Sequence, residues 1–164
     1  MLAAFLLLAL GLLQAPAPAK PASATAKPAS ATAKPIDTPH LTIATTTTKA
    51  AAGKTALVID VTPKEKMHVY SPGQEGVIVI SLTLEANPAV TADKPKYPAG
   101  EKLYMPALKE TQLVYGKPFK ITQDIALKPG SKNVTVKGTL RYQACDDKIC
   151  YLPKNVPVQW TVGG

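Results

Sequence analysis

Cys145 and Cys150 are the only cysteines in the chain, with four residues between them in the segment TLRYQACDDKICYLPKNVPVQW. Thiols this close can join in a disulfide without help from the rest of a fold, so the pair is either a small staple or a redox centre. Geometry allows both. If the strands ending at Cys145 and beginning at Cys150 form a hairpin with Asp146, Asp147, Lys148 and Ile149 as its loop, the cysteines face each other. Facing Cα atoms lie about 4.5–5.5 Å apart in antiparallel pairs, within the reach of a disulfide. Closing so short a loop removes only about 2 kcal/mol of unfolded-chain entropy, against nearly 5 for a loop of about a hundred residues. The local position therefore favours exchange chemistry over stapling without deciding between them. Nearby charges pull both ways: Asp146 and Asp147 oppose a thiolate, while Arg141, Lys148 and Lys154 favour one. His68, Met67 and Met105 could complete a soft-metal site with the cysteines. The spacing lacks the paired C-x-x-C pattern of zinc sites, and neither a metal nor a cofactor is expected.

The elements that must hold this pair read as strands. Val, Ile and Thr dominate Leu41 to Thr48, Thr55 to Val61, Gly76 to Leu84, Pro118 to Leu127, Asn133 to Cys145 and Val156 to Val162. In NVTVKGTLRYQAC, Val134, Val136, Leu140 and Tyr142 share one parity and Thr135, Lys137, Thr139 and Arg141 the other, the period of a half-buried strand. Ser71-Pro72-Gly73, Tyr97-Pro98-Ala99-Gly100 and Lys128-Pro129-Gly130 punctuate the runs as turns. No twelve-residue window carries an amphipathic helical pattern free of Pro and Gly. An all-β, immunoglobulin-like β-sandwich is expected, with a small barrel as the alternative.

Compartment bears on the thiols as well. An apolar run from Leu2 to Leu13 is followed by Ala17-Pro18-Ala19, the small-x-small form of a signal-peptidase site. The run is shorter than the roughly 20 residues of a membrane span. Residues 1–19 are therefore read as a secretory signal and residues 20–36 as a disordered linker, Lys20 to Pro35 being built on a repeated AKPASAT unit without large apolar side chains. Residues 37–164 remain as one domain, a size that supports a single core. The chain carries 19 basic and 11 acidic residues. Lys20, Lys27 and Lys34 belong to the linker, so the domain's surplus is small and scattered, unlike a nucleic-acid footprint. In an oxidising, exported compartment a disulfide persists.

YQACDDKICYLPKNVPVQW, together with EKMHVYSPG and LVYGKPFKI, resembles the N-terminal periplasmic domain of the thiol:disulfide interchange protein DsbD. The most specific match is Tyr142, Gln143, Cys145, Cys150, Tyr151 and Pro153. The resemblance implies an immunoglobulin-like domain whose catalytic cysteines, Cys145 and Cys150, pass reducing equivalents between thioredoxin-like donor and acceptor proteins in the periplasm. That is the work of a protein-disulfide reductase component. Cys150 would form the mixed disulfide and Cys145 would resolve it. A cap loop shields the cysteines in that family, and Leu113, Val114, Tyr115 and Gly116 match it. Val114 stands where the family has phenylalanine, so either Tyr115 takes over the shielding or the pair is more exposed. His68, Tyr70, Tyr142, Asp147 and Tyr151 would lie near the active site. The cysteines here stand one residue closer than in the best-known member. A monomer fed by a separate membrane electron transporter is expected; the competing reading is a non-catalytic β-sandwich binding module with a structural disulfide.

Overall fold

The computed structural model describes residues 34–106 and 109–163; the expected signal and most of the expected linker lie outside them. Among the described residues there are twelve strands: β1 (Ile36–Asp37), β2 (Leu41–Lys49), β3 (Thr55–Pro63), β4 (His68–Tyr70), β5 (Ser81–Leu84), β6 (Val90–Ala92), β7 (Glu101–Met105), β8 (Glu110–Tyr115), β9 (Phe119–Leu127), β10 (Val134–Tyr142), β11 (Ala144–Cys145) and β12 (Lys154–Val162). β1 takes in Ile36, the last residue assigned to the linker. No described helix is long and apolar enough to cross a membrane.

The strands form three sheets, ordered β1-β2-β3-β9-β6, β12-β10-β5 and β11-β4-β8-β7. The first two face each other as an immunoglobulin-like sandwich. Alternation along β10 buries Val136, Leu140 and Tyr142 while Thr135, Lys137 and Arg141 face water, as the sequence period requires. These side chains meet Ile43 from β2, Leu57 and Ile59 from β3, Ile121 from β9 and Trp160 from β12 in one core. Two polar contacts fix the layers: Trp160 Nε1 donates to the Val58 carbonyl at 3.1 Å, and Thr45 Oγ1 to that of Gln159 at 3.0 Å.

Two expected strands come out differently. Gly76 to Leu84 is regular only over Ser81–Leu84; residues before it pass over the third sheet, touching it through a Tyr70–Val79 bridge. Asn133 to Cys145 is broken at Gln143. β10 stays paired with β12 and β5, whereas Ala144 and Cys145 leave that sheet and pair with Val69 and His68 of β4. This handover carries the first cysteine from the sandwich into the third sheet.

β10 and β5 approach closely at Gly138, which sits opposite Leu84. A Cβ there would lie 2.8 Å from the Thr83 carbonyl oxygen and 3.0 Å from Leu84 Cδ2, too near for backbone to yield cheaply. Gly138→Ala is expected to cost about 1–3 kcal/mol in denaturant unfolding, while Lys137→Ala on the solvent side stays within about 0.5 kcal/mol. Equal midpoints for the two variants would contradict the close approach.

Candidate functional site

Cys145 ends β11, only 1% exposed, and stands opposite His68 in the ladder to β4. Cys150 is exposed. An antiparallel bridge joins the two residues, their Cα atoms are 4.0 Å apart and their sulfurs are bonded. The facing arrangement anticipated from the spacing is present, one rung at the base of a four-residue loop.

The loop is held by the first of its residues. Asp146 Oδ1 accepts from the backbone N–H groups of Lys148 at 2.7 Å and Ile149 at 2.8 Å. Its Oδ2 accepts from the Tyr151 hydroxyl at 2.8 Å. Main-chain bonds close the rung on both sides, Asp146 N to Ile149 O at 3.0 Å and Tyr151 N to Ala144 O at 2.8 Å. Gln143, where the strand breaks, donates its side-chain amide to the Tyr151 carbonyl at 3.0 Å. The N–H groups of Ile149 and Lys148, and then the Tyr151 hydroxyl, bring the Asp146 carboxyl down to about 2. The same carboxylate pushes the Tyr151 phenol up. Behind Tyr151 lies the buried His40 ring, 4.4 Å between centroids; burial, then the Lys154 and Lys64 charges, lowers its pKa.

Around the sulfurs, Cys145, Tyr70 and Val114 form a small buried cluster edged by Val77, Val79 and Leu103. The Tyr70 hydroxyl lies 3.8 Å from Cys150 Sγ, and burial raises its pKa. His68, 3% exposed, stands edge-on to the Tyr70 ring at 6.1 Å. Burial lowers its pKa while Asp147 and Asp146 work against that shift, and its Nε2 has no hydrogen-bond partner. A cleft of about 170 Å³ opens over the pair, lined by Tyr70, Met105, Pro106, Asp147 and Ile149 among others.

The fold thus gathers Cys145, Cys150, His68, Tyr70, Val114, Asp147 and Tyr151 at one end of the third sheet. It separates two others from the sulfurs. Tyr142 is in the main core, its hydroxyl hydrogen-bonded to Thr38 Oγ1 at 3.0 Å. Tyr115 is also in that core, stacked on Phe119 at 4.0 Å with its hydroxyl on the Pro98 carbonyl at 2.6 Å. Leu113, Val114 and Tyr115 are not a loop: they belong to β8, and exposed Gly116 follows it. Strand alternation sends Val114 towards Cys145 and Tyr115 the opposite way, so Tyr115 does not shield the pair. Sequence reasoning weighed Asp146 only as a charge and passed over His40. An Asp opening a tight turn was signal enough for the former, since its carboxylate reaches N–H groups two and three residues on.

Residues 40–159 match the family model described as thiol:disulfide interchange protein DsbD, N-terminal. No curated protein matches the chain. Among solved structures, the ScsB N-terminal periplasmic domain from Proteus mirabilis aligns at TM-score 0.51 and 15% identity, over 80% of this chain and 51% of that one. The chain thus spans about half of that structure, and the likeness concerns the fold. The reduced DsbD N-terminal domain from Neisseria meningitidis aligns at TM-score 0.47 and 17% identity, over 66% of this chain and 78% of that one. With a family match over most of the folded residues, an immunoglobulin-like sandwich and a bonded cysteine pair inside the matched segment, the chain belongs to the DsbD N-terminal family of thiol:disulfide interchange domains.

Proposed function

We propose that the protein is a periplasmic thiol–disulfide carrier that relays two electrons between thioredoxin-like proteins through Cys145 and Cys150. The observation that carries this reading is the asymmetry of the pair: one sulfur is buried under Tyr70 and Val114, and the other belongs to an exposed residue. A thiolate attacks a disulfide sulfur it can reach, in line with the bond that breaks. A reduced donor therefore attacks Cys150 Sγ, the Cys150–Cys145 bond breaks and Cys145 leaves as thiolate. The donor's second thiolate then displaces Cys150, leaving the donor oxidised and this pair reduced. Passing electrons onward runs the same steps in reverse: Cys150 attacks the acceptor's disulfide, and Cys145 resolves the mixed disulfide. The expected secretory signal supports an exported location for this chemistry, where disulfides persist.

The exposed apolar side chains beside Cys150, Ile149 and Leu152, suit a protein partner, since a docked face buries them. The Asp146 bonds keep the loop in one shape and leave the sulfurs free of other duties.

Two expectations test the reading. Replacing Cys145 by Ala should trap a mixed disulfide between Cys150 and a thioredoxin-like protein, resolvable by mass spectrometry, whereas Cys150→Ala should trap none. A reduction potential below about −300 mV, the range of structural disulfides, would replace the carrier reading with that of a structural clip. The second concerns acid. Because the folded Asp146 carboxyl titrates at about 2 instead of 3.8, its stabilisation is complete above the unfolded value and drains away as pH falls towards 2. The gap in thermal midpoint between wild type and Asp146→Ala should be constant above about pH 5 and close progressively below pH 4. A gap independent of pH would mean the carboxylate charge plays no part.

A further inference from the structure

Resting on the carrier reading, one step still lacks an agent. Cys145 must lose its proton before it can resolve a mixed disulfide, yet its residue is 1% exposed, and burial among apolar side chains disfavours a thiolate. Water has little access to remove that proton, so the base must come from the protein.

We propose that His68 is this base: its imidazole accepts the Cys145 proton during resolution and returns it when Cys145 departs as a leaving group. The two residues are partners in the β4–β11 ladder, and directly opposed side chains project from the same face with Cβ atoms about 4.5–5.5 Å apart. His68 is itself nine-tenths buried, and its Nε2 has neither a protein partner nor access to water. An imidazole nitrogen left unpaired in this way is costly, and with the disulfide closed it hydrogen-bonds neither sulfur, so it is free to take up a proton once the thiols form.

The surroundings suit a base that is neutral at rest and charged in passing. Asp146 and Asp147, from the hairpin, are the charges acting on His68. Tyr70, on the same strand, meets it edge-on; Cys145 lies across the ladder, and β8 contributes the apolar Val114 to the cluster around that sulfur. Burial keeps the imidazole unprotonated, and the two carboxylates stabilise the imidazolium once it forms. In the transfer, the Cys145 S–H proton passes to the ring and the thiolate electron pair attacks Cys150 Sγ. The bond from Cys150 to the partner breaks, and the partner's sulfur leaves as thiolate carrying the electron pair. The proton stays on His68 until the outgoing thiolate takes it up or Cys145 next departs as a leaving group.

An aromatic disulfide whose released thiolate absorbs visible light separates the two steps in the full chain. With the reduced protein, attack by Cys150 releases a first equivalent and resolution by Cys145 a second. His68→Gln keeps polarity and loses the titratable base. The first phase should stay within about twofold of wild type and the second should slow at least about tenfold at neutral pH, a modest share of what general bases contribute. Raising the pH should restore the second phase in the variant as hydroxide takes over, while the wild-type profile levels off earlier. His68→Asn repeats the test in a smaller side chain should the Gln variant fold poorly. A second phase equal to wild type, or both phases slowed alike, overturns the proposal for His68. Absence of the first phase in wild type overturns the carrier reading instead.

Discussion

The handover at Gln143 is the constraint on which the rest of the site depends. β10 runs through the sandwich as an ordinary central strand, yet two residues after its end the chain is paired with a different sheet. Had the strand continued in the β10–β12 register, Cys145 would stay in the sandwich sheet opposite Tyr151. The switch instead puts Cys145 against His68, under Tyr70 and Val114. Gln143 stabilises the break by bonding to the Tyr151 carbonyl on the returning arm, so the break and the hairpin support each other.

The sandwich and the third sheet divide the labour accordingly. The sandwich holds the large side chains, with Trp160, Tyr142 and the aliphatic residues of β2, β3 and β9 forming a continuous core. The third sheet is short-stranded and two-faced: Val69, Tyr115 and Ala144 join the main core, while Tyr70, Val114 and Cys145 form the separate small cluster at the disulfide. Its edge strand β7 displays the exposed Tyr104, and the cleft over the disulfide opens between that hairpin and the cysteine loop.

Much of this was legible in the residues. The parity of Val134, Val136, Leu140 and Tyr142 predicted the buried face of β10, and the spacing of the cysteines predicted their rung. The short strands of the third sheet were not legible: β4 spans only His68–Tyr70, too few residues to show a period, and β8 carries Glu, Thr and Gln among its apolar positions. The residues expected to form a cap loop, Leu113 to Gly116, lie instead in β8 and just after it. A local stretch such as Leu-Val-Tyr-Gly does not reveal which side chain faces the sulfurs; only pairing with β4, which sets Val114 opposite Tyr70, decides it. The same holds for Tyr142, next in sequence to the site and facing away from it by strand parity.

The Asp146 bonds bring in neither sulfur. Every partner of that carboxylate is a backbone N–H or the Tyr151 hydroxyl, so breaking the S–S bond removes none of them directly. The hairpin therefore has a reason to keep its shape through the redox cycle, with the two thiols held at a high effective concentration. Each tenfold gain in that concentration lowers the potential of the couple by about 30 mV. On the carrier reading, a turn carboxylate that bonds to neither sulfur thus contributes to the driving force of the exchange.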